Sequence, residues 1–243
     1  MKSALITGAS RGIGRAAALR LAADGYAVAV NYKNSEEKAR AVVDEIRSEG
    51  GVAMSVCADI SSPSDIERMA EKVLSEFSGV DVLVNNAGIS RTGLVTDVTV
   101  DEWNIISDTM IRGTFLCTQK ILPSMIAKKS GSIINISSIW GICGASCEVA
   151  YSTAKAAVIG FTKALSKEVG PSGIRVNCIA PGVIDTDMNR CHGEDVMREL
   201  AEETPLGRIG TPEDIANLIS FLASAEASFI TGQIITADGG LTV

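Results

Sequence analysis

The residues best suited to acid–base chemistry are Tyr151 and Lys155, which lie four positions apart. Residues at positions i and i+4 share one face of a helix, about 5–6 Å apart at Cβ, so a phenol and an ammonium can occupy one site. A tyrosine hydroxyl ordinarily has a pKa of about 10, and an adjacent cation favours the phenolate and lowers that pKa. The pair predicts a general acid/base at Tyr151, with Lys155 as its electrostatic partner.

A serine that precedes this pair could hold a substrate carbonyl. Ser138 follows the apolar run 133–136, which predicts a buried parallel strand. At the carboxyl end of that strand, its hydroxyl could donate a hydrogen bond to the oxygen that Tyr151 protonates. Because a Tyr-x-x-x-Lys pair on a helix is common and usually inert, the catalytic interpretation requires a cofactor site elsewhere in the chain.

Alternating strands and helices must position these residues. Strands are predicted at 2–7, 26–32, 51–57, 80–85, 132–137, 173–179 and 232–236, and helices at 12–24, 35–48, 64–77, 100–129, 150–169 and 212–224. The long helix should be interrupted or kinked near Pro123, and the polar, weakly helical segment 185–210 could cover a pocket. The pattern predicts an α/β fold: a single doubly wound Rossmann domain over residues 1–243, with a parallel sheet of about seven strands.

A glycine-containing turn joins the first predicted strand to the first helix. Backbone N–H groups in such a turn, together with the helix N-terminus, can receive a pyrophosphate, and glycine permits close approach. The spacing here is Gly-x-x-x-Gly-x-Gly. The candidate dinucleotide-binding residues are Gly8, Ser10, Arg11, Gly12, Ile13 and Gly14.

The end of the second predicted strand bears on the choice between NAD and NADP. An acid there binds the ribose 2′-hydroxyl, whereas basic groups accept a 2′-phosphate. The chain has Asn31, Tyr32 and Lys33 there, with no acid before Glu36, and Arg11 lies nearby in the glycine turn. We predict NADP(H), with NAD(H) the less favoured cofactor; the alternative is that these cations are solvated surface residues.

Composition excludes several classes of function. The 243 residues carry a net charge of −7 and are 46% hydrophobic, which argues against a nucleic-acid or anionic-membrane partner. No apolar run approaches the roughly 20 residues that span a bilayer, and no signal peptide precedes the first strand. The six cysteines lack metal-type spacing, and His192 lies in the variable segment as a surface residue. We expect a reduced cytoplasmic protein without a metal site.

Several motifs together resemble the short-chain dehydrogenase/reductase family. They are TGASRGIG at 7–14, Asp59, NNAG at 85–88, Ser138, Tyr151-x-x-x-Lys155 and Pro181-Gly182. The thirteen-residue step from Ser138 to Tyr151 is also similar, and the likeness covers essentially the whole chain. Within the family, the length and the segments 30–32 and 230–233 most resemble bacterial 3-oxoacyl-acyl-carrier-protein reductases.

The resemblance implies roles for individual residues. Tyr151 would donate the proton, Lys155 would lower its pKa and hold the nicotinamide ribose, and Ser138 would orient the carbonyl. The implied cofactor contacts elsewhere are Asp59 and Ile60 at the adenine, Asn85 near the adenosine ribose, Ala87 and Gly88 beside the cofactor, and Pro181, Gly182 and Thr186 at the nicotinamide carboxamide. The family also implies a homotetramer formed through the long helices and the C-terminal strand.

One departure from the family pattern lies in the long helix. Where the family generally has a fourth catalytic residue, an asparagine, the stretch 108–115 places Met110. The asparagine is thought to hold a water that links the lysine to bulk solvent, and a thioether is only a weak acceptor that donates nothing. Proton resupply could therefore slow; alternatively, a main-chain carbonyl keeps the water.

A second departure concerns an acyl carrier protein as partner. Lys128 and Lys129 could meet an acidic carrier, but Ser172 stands where such enzymes often have arginine. A 3-oxoacyl thioester remains the first substrate expected from the resemblance. The loop 140–148 also resembles Gram-positive reductases proposed to reduce a ketone of the 5-aminopentanone type on modified elongation factor P, in which case Glu148 could meet a substrate ammonium.

Two further alternatives stay open at this point. One is reduction of another small ketone or a hydroxysteroid. The other, of a different class, is a nucleotide-binding protein whose catalysis is impaired because Met110 replaces the family asparagine.

Overall fold

The structure, a computed structural model, describes residues 1–189 and 193–242 and leaves the side chain of Glu194 outside that description. The sequence expectations for Cys191 and His192 fall outside the described residues. The strands are β1 (Ser3–Ile6), β2 (Ala27–Tyr32), β3 (Ala53–Cys57), β4 (Val82–Asn85), β5 (Gly131–Ile136), β6 (Ile174–Pro181) and β7 (Ile234–Ala237). The main helices are α1 (Gly12–Ala23), α2 (Glu36–Ser48), α3 (Pro63–Phe77), α4 (Val100–Ser107), α5 (Gly113–Lys128), α6 (Trp140–Cys143), α7 (Val149–Val169), α8 (Glu194–Glu203) and α9 (Pro212–Ala223).

In the described chain, the strands form one all-parallel sheet of seven strands in the order β3-β2-β1-β4-β5-β6-β7. The predicted α/β fold with helices on a parallel sheet is confirmed. The sheet order reverses direction between β1 and β4, so the loops after these strands diverge. Such a switch point at the carboxyl ends of parallel strands is where open α/β sheets bind ligands.

Each face of the sheet has its own apolar core. Successive residues of a strand point to opposite faces, so Ile6 packs with Leu21 on one face while Leu5 packs with Ile66 and Ile121 on the other. Because helices cover both faces, the central strands are buried throughout and read in the sequence as continuous apolar runs.

The long helix departs from its predicted shape. Helix α4 passes through a π-helical turn, Asp108–Arg112, into α5, and α5 continues through Pro123. The helix was predicted to be interrupted or kinked near Pro123: the interruption is wrong, and a kink stays a prediction. A proline in a helix removes the hydrogen bond to the carbonyl four residues earlier, and here that carbonyl belongs to the exposed Gln119, where water can replace the bond. The irregular turn instead carries Met110 at its centre.

Two other segments differ in detail from the expectation. The loop after β5 contains the short helix α6, which the sequence did not indicate. The sixth strand extends to Pro181, beyond the predicted residue 179, and the last strand ends one residue later than predicted. The weakly helical character of the segment 185–210 is confirmed by α8.

A chain of buried side-chain hydrogen bonds fixes α7 against the sheet. Asn85 Nδ2 donates to Asn135 Oδ1 at 2.8 Å, and Asn135 Nδ2 donates to Thr162 Oγ1 at 2.9 Å. Thr162 in turn donates to the carbonyl of Val158. These polar groups join β4 and β5 to the helix that carries Tyr151, so they set the height of that helix above the strands.

A search of the described residues for a helix long and apolar enough to cross a membrane finds none.

Gly14 is expected to tolerate no side chain, because α1 lies directly against the turn before it. A Cβ at this position would lie 2.6 Å from Asn86 Nδ2 and 2.9 Å from Ala9 Cα, and would also meet the Gly8 carbonyl. Overpacking of this kind should make Gly14→Ala less stable by about 1–3 kcal/mol, measured by urea unfolding.

Gly93 provides the control for this prediction, because a Cβ there would have no heavy atom within 4 Å. The free energy of unfolding of Gly93→Ala should be within about 0.5 kcal/mol of that of the wild type. Equal stability of the two variants would show that the glycine turn can yield.

Candidate active site

Ser138 and α7 meet at the carboxyl end of β5. Ser138 is buried just after the strand, and its Oγ accepts a hydrogen bond from the Trp140 N–H at 3.2 Å. The hydroxyl of the preceding residue, Ser137, donates to the main-chain carbonyl of Lys155 at 2.8 Å. This bond joins the second turn of α7 to the end of β5. Ser138, Tyr151 and Lys155 therefore lie close together, as the sequence predicted.

Lys155 is only 5% exposed, and its ammonium has a defined partner. Its Nζ donates to the carbonyl of Ile136 at 2.8 Å and lies 5.5 Å from the centroid of the Tyr151 ring. Burial disfavours the charged form and lowers the pKa of Lys155 to about 8, with the neighbouring Cys178 acting in the opposite direction.

Tyr151 is partly buried, and its pKa moves the other way. Desolvation raises the pKa of Tyr151 to about 12; hydrogen bonding with Ser138 lowers it, and the charge of Glu148 raises it further. Loss of hydration therefore dominates the pKa of Tyr151 in the protein alone, and a lowering of that pKa by Lys155 stays a prediction. The phenol stays protonated at neutral pH, which is the state that a proton donor requires.

Met110 closes the inner side of this pocket. It is 1% exposed and packs in an apolar cluster with Ile106, Ala150 and Ala154. A Cβ built on Gly88 would lie 3.3 Å from Met110 Sδ and 3.5 Å from Lys155 Nζ, so the thioether and the ammonium flank the same glycine. The carbonyl of Met110 accepts a hydrogen bond from Thr114 Oγ1 at 2.7 Å, so this main-chain acceptor already has a partner.

A side chain from the loop after β4 holds the glycine turn in place. Asn86 Nδ2 donates to the carbonyls of Thr7 and Gly8, at 2.9 and 3.2 Å, and thereby fixes the turn at the switch point. A Cβ on Gly12 would come within 3.3 Å of Thr186, and one on Gly88 within 3.3 Å of Met110 Sδ. We call the positions without side chains, from the turn to Gly88 beside Lys155, the strip; it lies at the edge where open α/β sheets bind dinucleotides.

Asn31 and Asn85 lie beneath the strip rather than in it. Asn31 Oδ1 accepts from the Gly8 N–H at 3.1 Å, while its amide donates to the Ala58 carbonyl at 3.1 Å. The Asn85 amide donates to Thr118 Oγ1 as well as to Asn135. Both side chains are buried and hold the loops in place, and a direct contact of either one with a cofactor stays a prediction.

The predicted adenine end of the site, around Asp59, contains a short ion pair. Lys33 Nζ lies 2.7 Å from Asp59 Oδ2, and Ser61 donates to Asp59 through both its N–H and its hydroxyl. Burial alone would raise the pKa of Asp59, but the hydrogen bonds from Lys33 and Ser61 outweigh it and hold that pKa below its usual value. The next residue, Ile60, is buried, and Tyr32 at the end of β2 is buried as well.

The other predicted cofactor residues also border the strip. Pro181 ends β6 and its carbonyl accepts from the Ile139 N–H at 3.0 Å, while Gly182 packs closely against Asp238. The turn residue Ser10 is buried, and Ile13 and Ala87 pack partly buried against the two cores. The structure thus brings the predicted residues to one edge of the sheet, with Arg11 exposed at its margin.

Two features of this edge escaped the sequence analysis. Asp187 lies 3.6 Å from both Arg11 and Lys38, and Glu148 accepts hydrogen bonds from the hydroxyls of Ser90 and Thr92. Each contact joins segments more than 50 positions apart, so no local pattern could have indicated it. Among the described residues, no group of three or more acidic, cysteine or histidine side chains could hold a metal ion.

The buried lysine predicts a particular pH dependence of stability. Below about pH 8 the folded protein holds a desolvated ammonium; above it Lys155 is neutral when folded, while the unfolded chain keeps its proton until about pH 10.5. Stability rises with pH where the unfolded state binds more protons. Between pH 8 and 10 the wild type should therefore gain about 2–3 kcal/mol relative to Lys155→Met, measured by urea unfolding at each pH. Parallel curves for the two proteins would contradict this.

The sequence is similar to known proteins over nearly its whole length. Residues 8–242 match the family described as Enoyl-(Acyl carrier protein) reductase. The 3-oxoacyl-[acyl-carrier-protein] reductase FabG of Staphylococcus epidermidis is 46% identical over 240 residues, which is 99% of this chain and 98% of that protein. The 3-oxoacyl-[acyl-carrier-protein] reductase of Synechocystis is 45% identical over 242 residues, covering 99% of this chain and 96% of its own length.

A third similar protein, FabG of Aquifex aeolicus, is 43% identical over 241 residues, with 99% of this chain and 97% of that protein covered. Matches of this extent include the glycine turn at one end of the strip and Ser138, Tyr151 and Lys155 at the other. The chain belongs to the short-chain dehydrogenase/reductase family.

Proposed function

We propose that the protein is an NADPH-dependent carbonyl reductase that converts a 3-oxoacyl thioester to its 3-hydroxyacyl form in the cytoplasm. As a member of its family, the chain is an oxidoreductase that acts on a CH–OH or C=O group. The observation that carries the proposal is the partly buried Tyr151, whose hydroxyl is protonated at neutral pH and hydrogen-bonds with Ser138 beside Lys155, at the end of the strip of glycines.

NADPH bound along this strip would supply the hydride. The glycine turn would hold its pyrophosphate, and Lys33 and Arg11 favour a 2′-phosphate over the free hydroxyl of NADH. Lys155, with its ammonium directed between Gly88 and the strand end, would reach the hydroxyls of the nicotinamide ribose.

In the chemical step, Ser138 donates a hydrogen bond to the substrate carbonyl oxygen and so orients the ketone. As the carbonyl carbon gains the hydride, Tyr151 transfers its proton to that same oxygen, and the product is the alcohol. The phenolate that remains is costly in a buried site, and the nearby charge of Lys155 stabilises it. The proton must then be replaced before the next turnover.

The position of Lys128 and Lys129 bears on a carrier-bound substrate. Lys128 Nζ lies 3.3 Å from Asp81, just before β4, and the Lys129 carbonyl faces Gly173 next to Ser172. These residues are at the amino ends of the strands, opposite Ser138. An acyl carrier protein docked on these lysines would therefore lie at the end of the sheet opposite this chain's own site.

The exposed surface supports association of copies. Trp103 and Ile105 on α4 and Phe115 on α5 are large apolar side chains that face solvent, and Phe229 before β7 is fully exposed. A patch of this kind commonly marks a protein interface. We infer a homotetramer through the long helices and the C-terminal strand, to be tested by light scattering.

A second substrate class draws support from Glu148. Its carboxylate affects the Tyr151 pKa, so it lies within electrostatic reach of the reacting hydroxyl. A ketone with an ammonium group, such as an aminopentanone on a modified lysine, would be favoured by that charge. Comparing turnover of acetoacetyl-CoA with that of a small aminoketone separates the two classes, since Glu148→Gln should weaken only the cationic substrate.

Replacing the tyrosine tests the proposed mechanism directly. Tyr151→Phe should lower the rate of acetoacetyl-CoA reduction at least about 100-fold, because the proton donor is lost. NADPH affinity, measured by fluorescence titration, should change little, since the ring remains. Undiminished turnover in this variant would remove Tyr151 from the mechanism.

Met110 provides a test of proton resupply. We expect Met110→Asn to raise turnover several-fold, because the amide offers a donor and a strong acceptor beside Lys155 where the thioether offers only a weak acceptor. Met110→Leu is the matched control, since it keeps the apolar wall and should leave the rate unchanged.

The outcomes of this comparison also separate enzyme from binding protein. An active wild type with an unaltered Met110→Asn rate would show that another path already returns the proton. NADPH binding without turnover of any ketone, in the wild type and in both variants, would favour a nucleotide-binding protein.

A further inference from the structure

The carboxylate of Asp187, in the segment after β6, lies between two cations, Arg11 of the glycine turn and Lys38 of α2. Asp187 Oδ2 is 3.6 Å from Arg11 Nη1 and 3.6 Å from Lys38 Nζ. Arg11 also donates to Ser35 Oγ at 3.2 Å, which links the glycine turn to the start of α2. Three separate parts of the chain thus meet around one acidic side chain.

The contacts of Asp187 are looser than those of the neighbouring ion pairs. Lys33 lies 2.7 Å from Asp59, Arg15 lies 2.6 Å from Glu45, and Arg40 lies 2.7 Å from Glu36. Asp187 and both of its partners are about half exposed, with side-chain values of 52%, 54% and 57%. Exposed pairs at long distance contribute little, so these are the pairs that a stronger anion displaces most readily.

We propose that Asp187 sets the balance between NADPH and NADH by occupying Arg11 and Lys38 until a 2′-phosphate takes its place. The inference rests on the proposed function, which brings a nicotinamide dinucleotide to the glycine turn. A phosphate dianion binds the two cations more strongly than a carboxylate does, but it must first separate Asp187 from them and then lie near its charge. The uncharged 2′-hydroxyl of NADH carries no such cost.

The residue before Asp187, Thr186, connects the displacement of Asp187 to the glycine turn. Thr186 lies over Gly12, within 3.3 Å of where a Cβ would be, so the residue before Asp187 contacts the glycine turn. Displacing Asp187 from Arg11 therefore acts on the segment that borders the dinucleotide strip. Asp187 lowers the affinity for the phosphorylated cofactor selectively and favours its release after turnover.

The test compares ligands that differ only in the 2′-phosphate. Binding of 2′,5′-ADP and of 5′-AMP to Asp187→Asn is measured by calorimetry, with NADPH and NADH as full-length ligands. We expect 2′,5′-ADP and NADPH to bind about three- to tenfold more tightly than to the wild type, and 5′-AMP and NADH to change less than about twofold. Neither fragment carries nicotinamide, so the readout does not depend on hydride transfer.

Two further variants make the test specific. Asp195→Asn removes a carboxylate that pairs with Arg198 on α8, and it should leave the ratio of the two affinities unchanged. In a Lys38→Met background, Asp187→Asn should produce a smaller gain, because one of its two cations is absent. A full gain in that background would overturn the role assigned to Lys38 and Asp187 as a pair.

The inference and the proposed function fail in different ways. If NADPH binds the wild type but Asp187→Asn alters NADPH and NADH equally, or weakens NADPH, the role of Asp187 is overturned and the reductase proposal stands. If the wild type binds neither NADPH nor 2′,5′-ADP, both the proposed cofactor and this inference are overturned.

Discussion

The burial of one ammonium group constrains most of the site. Lys155 carries a charge into a region without solvent, and such a group requires a hydrogen-bond partner and close packing on its remaining sides. The Ile136 carbonyl provides the partner, Gly88 allows the approach, and Met110 fills the inner wall. Gly141 must also lack a side chain, because a Cβ there would lie 2.8 Å from the Lys155 backbone. The end of β5, the loop after β4 and the π-helical turn are therefore shaped around a single side chain.

The same desolvation moves the pKa values of the two titrating groups apart. It raises the pKa of Tyr151 and lowers that of Lys155, because burial favours the neutral form of each group. At neutral pH the tyrosine is therefore protonated and can donate its proton. A negative group close to Lys155, such as the phenolate formed in turnover, would raise the pKa of the lysine and strengthen its preference for the charged form.

Much of the architecture could be predicted because its signals are local. The apolar runs of the buried strands, the glycines of the turn and the Tyr151–Lys155 spacing each lie within a few residues. The contacts that could not be predicted join distant segments, as Asp187 does with Arg11. The raised pKa of Tyr151 could not be predicted for a related reason: the spacing reveals the neighbouring cation, whereas the apolar cluster with Ile106 and Met110 forms only in the fold. Pro123 misled because its cost depends on whether the freed carbonyl reaches water.

The buried amides of Asn85 and Asn135 have a consequence for the precision of the site. Displacing α7 by one helical turn, about 5.4 Å, would preserve much of its apolar contact with the sheet, since alanine and valine recur along it. It would, however, leave the Asn135 amide donor without its acceptor, Thr162 Oγ1, at a cost of about 1–3 kcal/mol for that buried group. The amides of Asn85 and Asn135 thus fix the position of α7 along the strands. The height of the reacting hydroxyl is set by side chains that lie well below any substrate.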